Sequence, residues 1–188
     1  MPSWLNPFDI LISFVLIAGV VWGFTHGLVR MALSLVVLYL AVVLAMSFYV
    51  QIGKWLVYLS AGSLPQAAAE LTGFLLILIL FTTIVNVALG RAFKDTELPA
   101  IRQIDQLGGL VIGFVLAASW IGLALVGLAF VLNTPGVGSD AFRGNILGYM
   151  RGSLLVPIFD DVWPIVLATL RPWMPKGELP PIFSGQLS

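Results

Sequence analysis

The chain contains no cysteine. Disulfides, thiolate metal sites and thiol nucleophiles are therefore excluded, although nothing follows about compartment. Its single histidine, His26, leaves no room for a histidine-rich metal site within one chain and nearly excludes nucleophilic triads. Charge is scarce as well. Only 10% of residues are Asp, Glu, Lys or Arg, against about 25% in a soluble domain. Nine basic and nine acidic residues cancel, so no field of one sign exists to recruit nucleic acid. Phosphate-cradling glycine loops, zinc-protease helices and nucleophile elbows are also missing. These absences predict a protein that is not an enzyme, with no catalytic, cofactor-binding or metal residues and no cofactor.

What remains is apolar: 60% of the 188 residues are hydrophobic. So few charges cannot cover a soluble surface, and lipid is the solvent that fits. A helix needs roughly 20 mostly apolar residues to cross a hydrocarbon core about 30 Å thick. Four runs qualify, at about 8–24, 29–50, 67–89 and 106–132. No Lys or Arg precedes the first run, so it reads as an uncleaved span and not as a signal peptide. Asn6 suits its N-cap, Pro7 its first helical position and Asp9 its first turn. Ser63, Pro65 and Gln66 announce the third span with a capping-box pattern, and Asn133 to Gly136 end the fourth with turn residues.

Beyond residue 136 the run Leu154–Leu170 is broken by Asp160, Asp161 and Pro164. It reads as short helices lying in the interface, anchored by Trp163 and Trp173, with a re-entrant segment as the alternative. The expected fold class is an all-α integral membrane protein: four transmembrane helices plus a C-terminal amphipathic, interfacial helical segment. Three regions follow: a four-helix transmembrane domain over 1–135, extracytoplasmic amphipathic helices over 136–172, and a Pro-rich flexible tail over 173–188.

Basic residues mark the cytoplasmic side. Arg30, Arg91, Lys94 and Arg102 fall at one end of the four runs, and Lys54 alone at the other. This predicts both termini outside the cytoplasm, with Arg143, Arg151, Arg171 and Lys176 in the translocated tail.

Gly19, Gly23 and Gly27 recur every fourth residue in the first span, and Gly109, Gly113 and Ala117 do so in the fourth. Small residues let helix backbones approach closely in lipid. The faces serve packing within one bundle or contact between copies, and sequence does not choose. Arg30 and Asp105 fall on the same predicted side and could form an ion pair; otherwise Arg30 is a topology determinant and Asp105 an N-cap. His26 is a polar anchor or a titrating relay. Glu70 is expected to reach the headgroups, Asn86 to bond another helix, and Asp160 and Asp161 to line a solvated face.

Several short segments carry a family resemblance. They are Phe8-Asp9, then Gly27-Leu28-Val29-Arg30-Met31-Ala32-Leu33-Ser34-Leu35, then Ile104-Asp105-Gln106-Leu107-Gly108-Gly109 with Gly113, and Ser153-Leu154-Leu155-Val156-Pro157. Their order and spacing resemble the colicin V production protein (CvpA) family over roughly residues 7–165. Met31, Gln106, Leu116 and Ala117 depart from the residues many members carry there. The resemblance implies a small inner-membrane protein linked to colicin V production or export and to envelope homeostasis. The expectation is a non-enzymatic scaffold or accessory, or alternatively an oligomeric channel or transporter subunit. Expected partners are the lipid bilayer, further copies of the chain, and envelope or export proteins.

Overall fold

The computed structural model describes residues 6–92, 102–134, 140–173 and 181–183, and no strand occurs among them. Four long helices lead: α1 (Pro7–His26), α2 (Leu28–Leu59), α3 (Gln66–Ala92) and α4 (Arg102–Asn133). Each is long and apolar enough to span a membrane. The chain is a multi-pass, all-α membrane protein. Lys94 and the rest of the loop joining α3 to α4 lie outside the described residues, as does Lys176.

The helices outrun the apolar stretches. At 1.5 Å per residue, the 32-residue α2 is about 48 Å long, well beyond the ~30 Å hydrocarbon core. Its last turns carry Lys54 and the exposed Trp55 and Tyr58. Lipid sets where apolar residues stop; local backbone chemistry sets where the helix stops. Here the stop is a left-handed turn. Gly62 donates to Val57 and Ala61 to Tyr58, with φ of +79° at Gly62 and +50° at Ala61. Gln66, expected to bond back to Ser63, reaches forward instead to Glu70 at 2.9 Å.

α1 packs on α4, α3 packs on α2, and α2 meets α4 between them, so α1 and α3 form the flanks. Leu38, Ala41, Ala45, Phe74, Leu78, Ile121 and Val126 build the common core. Apolar burial drives little association inside lipid, so close dispersion contact must hold these helices. The α1–α4 contact shows how. A Cβ on Gly113 would lie 2.7 Å from Gly23 Cα, and one on Gly109 would lie 2.8 Å from the Gly27 carbonyl carbon. Gly19 faces Ala117 in the same seam. The glycine faces of the first and fourth spans thus meet each other within one chain.

α5 (Asp140–Arg151) and α6 (Val156–Leu170) follow, bent by 87° at residues 152–155. Arg143 donates to the Thr134 carbonyl and fastens α5 to the end of α4. Two expectations need correction. Trp163 is not a surface anchor: its ring fills the notch left by Gly122 on α4 and stacks on Phe183 at 6.3 Å. Trp173, by contrast, is exposed. Nor are residues 181–183 part of a loose tail. Ile182 and Phe183 are buried, with Phe183 edge-on to Phe74 of α3 at 5.6 Å. Two large apolar side chains in a row have a strong reason to dock, and the surrounding prolines hid it.

Candidate functional site

Two aspartates, one at each end of α1, organise the polar interior. Asp9 lies in the first turn of α1, whose N-cap Asn6 accepts from the Phe8 N–H at 3.0 Å. The Asn6 amide also donates to the Tyr149 carbonyl of α5 at 2.6 Å. The Asp9 carboxylate accepts from Ser153 Oγ at 2.5 Å and from the Leu154 and Leu155 N–H groups at 3.1 Å each. Ser153 Oγ in turn accepts from Val156 N–H at 3.1 Å. Asn6 and Asp9 therefore cap α1 and also hold the α5–α6 turn. A carboxylate at the N-terminus of α6 satisfies orphan donors and opposes the positive end of the helix dipole.

The other end repeats the device. Asp105, in the first turn of α4, accepts from the Leu28 N–H at 2.9 Å and caps α2 from a neighbouring helix. Its second oxygen lies against Gly27, whose φ of +78° makes the one-residue junction between α1 and α2. A side chain on Gly27 would strain the backbone and collide with the carboxylate. Asp105 thus bonds to the backbone at Leu28, and no Arg30–Asp105 ion pair forms among the described residues. The reason is competition: an unsatisfied N–H at a buried helix start needs a partner, whereas the exposed Arg30 can reach solvent or headgroups.

Arg30 and Asp105 still line one cavity of about 490 Å³ between α1 and α3. Its wall is more polar than expected within a bundle. Ser34 on α2 donates to Asn86 of α3 at 2.8 Å, and Asn86 donates to the Thr82 carbonyl at 2.8 Å. Asn86 thus bonds another helix, as anticipated. His26 stacks on Trp22 at 4.5 Å with Nδ1 2.9 Å from the Trp22 carbonyl oxygen. A second cavity adjoins the first, shares Arg30, Thr82, Asn86 and Trp120, and adds Thr83 and Val87 on the exposed face of α3. Sequence reading gave Ser153 no role beyond its place in a family segment, and passed over Thr82 and Trp120. Ser153, three residues before Val156, carried an N-cap signal; Thr82 and Trp120 looked like ordinary span residues.

Two further acidic residues lie away from these contacts. Glu70 is half-buried, packed on Gly53 of α2, and Asp161 is exposed on α6. Among the described residues no cluster of three or more His, Asp or Glu groups could hold a metal ion.

The four segments that suggested a family are the ones these contacts join: Asp9 to Ser153–Leu155, and Gly27–Leu28 to Asp105. Neither a curated protein nor a solved structure matches the chain. The model of the colicin V production protein family matches residues 8–164. That span contains both aspartates, the glycine seam and the α5–α6 turn, and the chain belongs to the colicin V production protein family.

Proposed function

We propose that the chain is a non-enzymatic accessory of the inner membrane, serving colicin V production or export and envelope homeostasis by presenting its α5–α6 unit on the extracytoplasmic face. The observation that carries this reading is the Asp9 network, which fixes the unit to α1 through three hydrogen-bond donors. A unit held so firmly is a preformed surface for a partner. Both termini face outward in this reading, with Arg30 and Arg91 on the cytoplasmic side.

The unit also dips towards the membrane interior. Tyr39 Oη donates to the Thr169 carbonyl at 2.8 Å, and Tyr39 lies about 16 Å along α2 from its first residue. Ile158, Val162 and Ile165 on α6, with Leu154 in the turn before it, form an exposed apolar stripe that suits acyl chains. The re-entrant alternative is therefore favoured over a helix lying flat in the interface.

The test is co-purification from native membranes after mild crosslinking. A stoichiometric envelope or export protein, lost with Asp9→Ala, is the expected result; an intact variant that keeps the same partners would overturn the role given to α5–α6. A second reading, a channel or transporter subunit, draws on the polar cavity between α1 and α3. Solute flux into liposomes carrying the purified chain would support it, and tight vesicles would dispose of it.

A further inference from the structure

We propose that the cleft between α1 and α3 binds the phosphate headgroup of an anionic phospholipid, with Arg30 as the anchoring residue. This site is independent of the α5–α6 role above. The first argument is hydrogen-bonding capacity. Near Arg30, Ser34 gives its proton to Asn86, and Thr82 gives its proton to the Leu78 carbonyl at 2.6 Å. Asp105 gives Oδ1 to Leu28 and turns Oδ2 to Gly27, on the α1 side of the cleft. The unspent donors beside Arg30 are one amide proton of Asn86 and the five N–H groups of its own guanidinium. Arg30 makes no hydrogen bond or ion pair among the described residues, and its Nη2 rests on Gly90, where a Cβ would stand 3.0 Å away. A planar fork of donors fits a phosphate's oxygens, two at a time.

The second argument is shape. The adjoining cavities measure about 490 Å³ each, within the range of ligand pockets. Thr83 and Val87 form a side mouth on α3, next to the exposed Ile79, Leu80 and Ile84. In a membrane that mouth opens onto acyl chains, not onto bulk water. A free anion has no use for such a wall, whereas the tail of a phospholipid does.

The third argument is depth. Arg30 is the third residue of α2, at the end of the bundle, where headgroups lie.

Native mass spectrometry of the full-length chain, titrated with phosphatidylglycerol or phosphatidylethanolamine, tests the proposal. Phosphatidylglycerol is expected to be retained in preference. Arg30→Gln should reduce its retention about tenfold or more, the value of one charge-assisted hydrogen bond. Arg91→Gln, on an exposed residue outside the cleft, should leave retention unchanged. Glycerol phosphate should not displace the lipid at equal concentration. Should Arg30→Gln fail to fold, Thr83→Trp fills the side mouth from an exposed position and should reduce retention several-fold. Unchanged retention in Arg30→Gln, or in Thr83→Trp where that variant decides, overturns the proposal. So does displacement by glycerol phosphate, which would make this a site for a soluble phosphate.

Discussion

Asp9 and Ser153 stand 144 positions apart in the chain, yet the serine hydroxyl donates to the carboxylate at 2.5 Å. Asp9 closes the ring with two backbone donors from Leu154 and Leu155. Without the charged acceptor, Ser153 Oγ–H and the Leu154 N–H lose their partner and the Leu155 N–H keeps only Ser153 Oγ at 3.2 Å, each hydrogen bond to a charged group contributing about 1.5–3 kcal/mol. Asp9→Ala is therefore expected to loosen the turn between α5 and α6 while the four long helices stay packed. Hydrogen exchange should speed up at Leu154, Leu155 and Val156 and remain slow in α2 and α4. Unchanged exchange at those three amides would show that the network is decorative.

Much of the fold was legible beforehand because lipid imposes a simple rule: long uncharged runs become helices. The glycine spacing also announced a close helix contact, since small residues let two helix backbones approach. What sequence hid was how the polar side chains are spent. Arg30 and Asp105 looked like ion-pair partners by position, but the helix start at Leu28 competes for the same carboxylate. Trp163 looked like an interface anchor by type, but a glycine on a distant helix gives its ring a notch. Both outcomes depend on contacts between segments far apart in the chain, which no local pattern encodes.

The seam gives a contrast between two glycines. Gly113→Ala would place a methyl group 2.7 Å from Gly23 Cα, and backbone cannot rotate away. Forcing α1 off α4 should destabilise by about 1–3 kcal/mol or more. Gly144→Ala in α5 has nothing within 4 Å and should be neutral or stabilise by about 0.5–1 kcal/mol. Thermal unfolding in detergent, followed by circular dichroism, reads both. Equal melting temperatures for the two variants would mean that the α1–α4 contact is looser than described.

The turn after α2 stores strain at one residue. Ala61 occupies the left-handed region, φ +50°, a position where helix ends usually carry glycine. A left-handed conformation costs an L-residue with a Cβ about 1–2 kcal/mol. Ala61→Gly relieves that cost but frees the unfolded chain, which offsets part of the gain. The expected net change is a small stabilisation, below about 1 kcal/mol, seen as a raised melting temperature. A lowered one would show that the turn gains more from the alanine methyl than it loses in backbone strain.

Trp163 separates packing from hydrogen bonding in the α6 core. Its indole N–H is buried without a hydrogen-bond partner among the described residues, while its ring fills the Gly122 notch against Phe183. A buried orphan donor costs about 1–3 kcal/mol, and a large side chain removed from a packed site costs about 3–5 kcal/mol. Trp163→Phe removes the orphan and keeps most of the ring, so the chain should be as stable as before or slightly more so. Trp163→Ala leaves a cavity and should release α6 together with residues 181–183. Limited proteolysis in detergent would expose that release as cleavage within α6. If the phenylalanine variant is cut as fast as the alanine variant, the indole N–H has a partner that matters, and the packing argument for this tryptophan fails.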